Sequence, residues 1–375
     1  MISPWSSVGG LRMGKNIVVC LDGTGNEVKA RGASNIFKLV ELLDLRDPDR
    51  QVVYYDPGVG TFAAPSAWTA VTRRLSRLGG LALGHGLRQN LGEAYTYLMN
   101  SWRPGDRVFV FGFSRGAYTA RALCGMLYRV GLLRPGSENL VPYAVRVYAR
   151  RPGRDSDLSL PEGWARIDRF AEALSVRPAP KSLAFPIDFL GLFDTVKATG
   201  FLGRDITWPY TNRLPNVRVA RHAVAIDERR RPYREDLIPQ PGPGERRRVS
   251  ETWFAGAHSD VGGGFDEHPE LGRISLRWML EGAVAEGLLV REQRIGDRYP
   301  LAESDASGVV HPMGWIWAVT GHRRRPIPPG GRVHASVRTR ISTEPEYARE
   351  LPDGVVWDEE CWPFRSGTAE TPSTP

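Results

Sequence analysis

Six apolar, β-branched runs in this chain each stop at a conspicuous polar residue. "NIVVCLDGTGN" stops at Asp22, "QVVYYDPGVG" at Asp56, "RVFVFGFSRG" at Ser114 and "FPIDFLGLFDTV" at Asp194. "RVARHAVAIDE" reaches Asp227, and "ETWFAGAHSDVGGG" reaches His258. Runs that are apolar at nearly every position describe strands buried on both faces, as in a parallel sheet. Helical periodicity lies between them. Leu87, Leu91, Ala94, Tyr95 and Leu98 repeat before Pro104-Gly105-Asp106. Ala117, Ala120, Leu123, Cys124 and Leu127 repeat after Ser114, with Gly131 placed to end the helix. A further helix is expected from Leu276 to Glu286. This alternation predicts a doubly wound, mainly parallel α/β sheet. Ligands bind such sheets outside the carboxyl ends of the strands, which is where these polar residues fall.

The bulk properties narrow the possibilities. A chain of 375 residues, 41% hydrophobic and 25% charged, is globular. Its net charge is +8, and only five of its 50 basic residues are lysine. A basic balance can point to nucleic acid or to an anionic membrane surface. Here the arginines are scattered. The densest runs (229–231, 246–248 and 323–325) sit beside Pro and Gly and read as solvated loops, so no nucleic-acid partner is expected. Peripheral membrane contact stays open, and nothing specifies an oligomeric state. The three cysteines, Cys20, Cys124 and Cys361, have no C-x-x-C spacing. No metal centre or disulfide framework is expected, and a reducing compartment fits. No run approaches the ~20 apolar residues of a membrane span, and the N-terminus lacks a signal-peptide core. The expected location is cytoplasmic, or exported without a cleavable signal.

Residues 1–14 read as an N-terminal extension and 15–345 as a single α/β domain with lid-like insertions. Residues 346–375 read as a C-terminal segment with a disordered tail, "SGTAETPSTP". Four stretches rich in Pro, Gly, Trp and Arg fit the sheet poorly and are read as insertions over the site: Thr61 to Leu83, Arg134 to Lys181, Thr199 to Asn216, and Arg291 to Pro312. In the first, Trp68, Val71, Leu75 and Leu78 share one helical face, with Arg73, Arg74 and Arg77 elsewhere. That pattern suits an interfacial lid helix and equally a helix packed on the sheet.

Gly112-Phe113-Ser114-Arg115-Gly116 matches G-x-S-x-G. A sharp strand-to-helix turn lifts the serine hydroxyl over the sheet in a strained conformation, and small flanking residues let the segments cross. The preceding apolar run and following small-residue helix supply the context the motif needs. A nucleophilic serine requires a base and an acid to orient it. Of seven histidines, His85 precedes the serine, whereas the α/β-hydrolase order is Ser, acid, His. His222 lies in an apolar run and reads as a core residue. His268, His311 and His322 sit in loop-like contexts, and His334 lies on the late run "RVHASVR". His258 ends a strand on a flexible glycine-rich turn and is the favoured base. Asp194 and Asp227 both end strands after Ser114, and Asp227 holds the more usual position for the acid. Asp260 is too near His258 in sequence to orient it easily, and Asp188 lies inside a strand.

The loop "LDGTGN" is placed to supply a second oxyanion donor, from the N–H of Gly23 or Thr24, beside the N–H of Arg115 at a helix start. Asp22 and Asp260 are candidates for shaping the site. These residues predict a serine carboxylic-ester hydrolase that works through an acyl-enzyme, with no metal or organic cofactor. Two alternatives stand beside it. "LDGTGN" resembles the D-x-D-G-T start of a phosphatase family, but Cys20 occupies the nucleophile's place. The other is a non-enzymatic binding or interaction module on a hydrolase fold.

Taken together, "CLDGTGN", "GFSRGAYTAR", "LGLFDTV", "AIDERR", "WFAGAHSDVGGG" and "ISLRWMLEGA" resemble an uncharacterised α/β-hydrolase domain family of bacteria and fungi. That family includes the first class of type VI secretion phospholipase effectors. The resemblance spans Lys15 to Arg340 and implies an α/β-hydrolase-like fold. It implies Ser114 as nucleophile, the aspartate of F-D-T-V, Asp194, as acid, and His258 as base, and so moves the preferred acid from Asp227 to Asp194. The secreted effectors add a long membrane-anchoring region, for which this chain has little room. A small ester is therefore as good an expectation as a lipid; an esterase or lipase, phospholipase A included, is the implied activity.

Overall fold

The computed structural model describes residues 14–23, 32–58, 80–149, 160–178, 184–196, 208–240, 248–312, 321 and 323–364. The strands are β1 (Asn16–Leu21), β2 (Gln51–Asp56), β3 (Arg107–Phe113), β4 (Ile187–Phe193), β5 (Val217–Ala225), β6 (Arg248–Phe254), β7 (Arg332–His334) and β8 (Val356–Asp358). They form one sheet in the order β2-β1-β3-β4-β5-β6-β7-β8. Every pairing between them is parallel. The expected fold class is the one observed. The sheet also continues past residue 345, because β8 pairs with β7.

The near-continuous apolar runs have a direct structural counterpart, because the sheet carries a core on each face. Ile17, Val19, Val108 and Val110 pack with Leu91, Leu98, Leu123 and Leu127 of the helices Gly80–Ser101 and Arg115–Arg129. On the other face, Val18, Cys20, Phe109 and Phe111 pack with Ile36 and Leu39 of helix Asn35–Leu42 and with Trp278 and Met279 of helix Glu270–Ala285. That last helix starts earlier than its expected onset at Leu276.

The described part of 134–181 does not lie over the strand ends. Its helices, Val141–Ala149 and Leu160–Leu174, back the helical layer. Val141, Val145, Tyr148 and Ile167 join the first core. Arg129, at the far end of its helix from Ser114, pairs with Asp168 at 2.7 Å and stacks over Trp164. The apolar stripes on these helices find a larger apolar partner there than at a polar sheet edge. The suggested helix around Trp68 and the terminal tail lie outside the described residues. No described helix is long and apolar enough to cross a membrane.

Parallel pairing brings the carboxyl ends of β1, β3, β4, β5 and β6 to one edge. Asp22, Ser114, Asp194 and the turn before His258 follow those ends directly, and Asp227 follows one residue later. Two glycines make the crossing at Ser114 possible. A Cβ on Gly116 would lie 2.2 Å from the carbonyl oxygen of Leu21, and one on Gly112 would lie 2.6 Å from Ala117 Cα. Neither neighbour is a side chain that can turn away. Gly116→Ala is therefore expected to lower unfolding free energy by about 1–3 kcal/mol in urea titrations. Gly296→Ala is the control, because nothing lies within 4 Å of its Cβ position. In helix Glu292–Arg298 it is expected to be neutral or to stabilise by up to ~1 kcal/mol.

Candidate active site

Ser114 joins β3 to helix Arg115–Arg129 with φ 58° and ψ −121°. A non-glycine residue there carries about 1–3 kcal/mol of strain. Its neighbours hold it in place. The Ser114 N–H donates to the carbonyl of Phe193 at 3.1 Å, and the Tyr118 N–H donates to the carbonyl of Ser114 at 3.3 Å. Asp194 follows β4 and also has a positive φ, 38°. Its N–H donates to the carbonyl of Ala223 at 2.7 Å. The end residue of each strand is thus pinned by the strand beside it.

His258 is the first residue of the short helix His258–Gly262 and is buried, so its expected flexible turn is a capped helix start. Gly256, at φ 114°, turns the chain before it. Asp260 Oδ2 accepts the N–H of Ala257 at 2.8 Å, and Glu228 accepts the N–H of His258 at 3.3 Å. The imidazole packs against the rings of Phe113 and Tyr233, with centroids 4.7 and 4.9 Å away.

These elements place three side chains in one hydrogen-bonded line. His258 Nε2 is 2.8 Å from Ser114 Oγ, and His258 Nδ1 is 2.5 Å from Asp194 Oδ2. Nδ1 faces a carboxylate and so carries the proton, which leaves Nε2 free to accept from the serine hydroxyl. This tautomer is assigned from the partners.

Asp194 has no solvent exposure. Besides His258, it accepts from the N–H of Ala225 at 2.9 Å and from Arg325 Nη1 and Nη2 at 2.5 and 3.0 Å. Burial pushes the carboxyl upward. The charge of Arg325 and the hydrogen bond from His258 outweigh it and hold the group well below the usual carboxylate range.

Arg325 corrects the sequence reading of 323–325 as a solvated loop. Its side chain is 2% exposed. It also donates to the carbonyls of Ala225 and Tyr233 at 3.0 and 2.5 Å. Nothing in a run of three arginines marks the third as buried. Glu228 and Tyr233 were also missed, although "AIDERR" had stood out. Glu228 pairs with Arg230 at 2.6 Å, and Arg230 stacks on the Tyr233 ring.

The remaining candidates separate cleanly. Asp227 does not meet His258; it accepts from the N–H of Gly256 at 2.7 Å and from Tyr347 Oη at 2.6 Å. It supports the turn beneath the histidine, and the alternative of Asp227 as acid is not what this geometry offers. Asp260 also holds His311. Asp22 accepts from the Gly23 N–H at 2.6 Å, from Ser34 Oγ and from Tyr55 Oη at 3.0 Å. The Gly23 N–H is therefore engaged by its own neighbour, which corrects its expected place as an oxyanion donor; Thr24 lies outside the described residues. The Arg115 N–H is the first of its helix, where backbone donors have no helical partner. His222 is a buried core histidine between Glu251 and the N–H of Thr195. His334 caps helix Ala335–Thr343, and burial lowers it to about 4. Cys20, where a phosphatase would need its aspartate, is buried in the core with its thiol pushed up by burial and by Asp22. Among the described residues no group of His, Cys, Asp and Glu is arranged to hold a metal ion.

Against known proteins, 227 residues are 37% identical to an uncharacterized protein of Saccharomyces cerevisiae, covering 59% of this chain and 32% of the yeast protein. Similar solved structures include two. One is an uncharacterized protein from Pseudomonas aeruginosa, with 20% identity and a TM-score of 0.40, covering 77% of this chain and 47% of that one. The other is the Tle1 effector bound to the VgrG spike of the type VI secretion system, with 21% identity and a TM-score of 0.36, covering 68% and 52%. The chain therefore spans about a third of the yeast relative and about half of each solved chain. Residues 15–282 match the family described as the type VI secretion phospholipase effector Tle1-like catalytic domain. Ser114, Asp194 and His258 lie within that span, and Arg325 lies beyond it. The chain belongs to the family of Tle1-like phospholipase effector catalytic domains.

Proposed function

We propose that the protein is a serine hydrolase of carboxylic esters that works through an acyl-enzyme. The observation that carries this reading is the unbroken line from Ser114 Oγ through His258 to Asp194. His258 Nε2 takes the hydroxyl proton as Ser114 attacks the acyl carbonyl. The tetrahedral oxyanion forms beside the Arg115 N–H, where donors at a helix start favour negative charge. Asp194 holds the ring and offsets its positive charge. His258 then protonates the leaving alcohol, and water, activated by the same ring, releases the acid. The family is named for phospholipase effectors, which makes a lipid ester the first substrate to try and a short ester the second.

Ser114→Ala and His258→Ala are each expected to reduce kcat by on the order of 10⁶-fold. Turnover of short- and long-chain p-nitrophenyl esters measures this. A fluorophosphonate should label wild-type protein at Ser114 and leave Ser114→Ala unlabelled. Wild-type activity in Ser114→Ala would overturn the reading, and a wild-type protein that is neither labelled nor active would favour a binding module.

Arg325→Met tests the support of Asp194. The ionised carboxylate loses its main counter-charge, so stability at pH 7 is expected to fall by about 3–5 kcal/mol and kcat by on the order of 10²-fold. The sign of the pH dependence follows from the lowered carboxyl. In the wild type this stabilisation is complete above the ordinary carboxylate range and is lost only as pH falls through the depressed value. In Arg325→Met, where burial is no longer outweighed, the acid limb of activity is expected to move to higher pH. Arg325→Lys should restore only part of the effect, because an ammonium cannot grip both oxygens in the same planar fork.

A further inference from the structure

A second cleft, of about 290 Å³, lies beside helix Asn35–Leu42. Ser114, Asp194 and His258 do not line it. Its charged lining is Lys38, Glu41, Asp266, Arg273 and Arg298. Most of that charge is matched. Arg298 Nη1 is paired with Glu41 at 2.6 Å, and Glu41 also accepts from Tyr299 Oη at 2.9 Å. Arg273 Nη2 is paired with Asp305 at 2.6 Å.

Lys38 is different. It is 7% exposed, yet its ammonium makes no hydrogen bond or ion pair with any described residue. It sits loosely over the Tyr299 ring, 5.9 Å from its centre. Its stem is buried while its ammonium still reaches the cleft, and a partly desolvated charge gains from a partner there. Burial lowers Lys38 to about 8, with Asp266 and Glu41 opposing that shift and Arg273 adding to it. The cleft therefore offers a cationic donor in its lining. Asp266, exposed and in the same lining, offers an acceptor.

We propose that this cleft binds inorganic phosphate as hydrogenphosphate. Three of its oxygens supply the counter-charge that Lys38 lacks, and its remaining hydroxyl donates to the Asp266 carboxylate. Sulfate has the same shape and charge at neutral pH but no proton to donate, so Asp266 repels it. This inference is independent of the ester chemistry at Ser114.

Thermal unfolding of the full chain at pH 7 tests it, with phosphate and sulfate compared at equal ionic strength. A ligand that binds the native state raises Tm with its concentration. The expected result is a rising Tm with phosphate and a response to sulfate at least tenfold weaker in apparent affinity. Lys38→Met, which keeps the chain length and removes the charge, should weaken phosphate at least tenfold. Asp266→Asn, at an exposed position that leaves packing untouched, should weaken phosphate and strengthen sulfate until the two are alike. Equal responses to the two anions in the wild type would overturn the proposal, as would a phosphate response unchanged in Asp266→Asn.

Discussion

The carboxylate of Asp194 has no access to water, and its ionised state rests on the guanidinium of Arg325. A lone carboxylate in such a place takes up a proton. Here two guanidinium nitrogens, the Ala225 N–H and the His258 ring supply the interactions that water would have made. The same guanidinium donates to the carbonyls of Ala225 and Tyr233. One side chain therefore ties the end of β4 to the end of β5 and to the turn that packs Tyr233 against the imidazole. Buried ion pairs add little net stability compared with apolar packing. What this pair provides is position: the carboxylate faces the histidine in a single orientation.

Geometry at the sheet edge follows a common rule. The residues after β3 and β4 both have positive φ, and each donates its N–H to the adjacent strand. The ladder therefore outlasts the strands by one residue and supports the local strain. Gly112 and Gly116 leave room for helix Arg115–Arg129 to begin directly against β1. His258 reaches the site by another route, through the turn at Gly256 and the carboxylates of Asp227, Glu228 and Asp260. The motif "AIDERR" serves this purpose: Asp227 and Glu228 hold the backbone beneath the histidine, and Arg230 covers the Tyr233 ring that flanks it.

Much of this was legible in the residues. Strands buried on both faces show themselves as unbroken apolar runs, and the parallel sheet follows. Ser114 stands out through its glycines, and His258 through its place at a strand end. Between Asp194 and Asp227 the strand pattern favoured Asp227, because both follow a strand and Asp227 holds the more usual position for the acid. Family resemblance favoured Asp194, and in the structure it is Asp194 that reaches the imidazole. Arg325 was illegible for a different reason. Its partner lies 131 positions away, and neighbouring Arg324 is largely exposed, so the run averages to a surface loop. The stretch 134–181 was misplaced because its Pro, Gly, Trp and Arg content does not say which apolar surface its segments will meet.

By itself, then, the sequence determined the class of fold, the edge at which polar residues gather, and the identity of the serine and histidine there. Each of these follows from local periodicity or from the steric demands of glycine, which act over a few residues. The tertiary structure decided which aspartate meets the histidine, which arginine keeps that aspartate ionised, and that the Gly23 N–H turns to Asp22. It also decided that Lys38 lines a cleft without a hydrogen-bond or ion-pair partner among the described residues. These outcomes depend on distances between segments far apart in the chain, and such distances exist only once the sheet has assembled and water has been excluded from its edge.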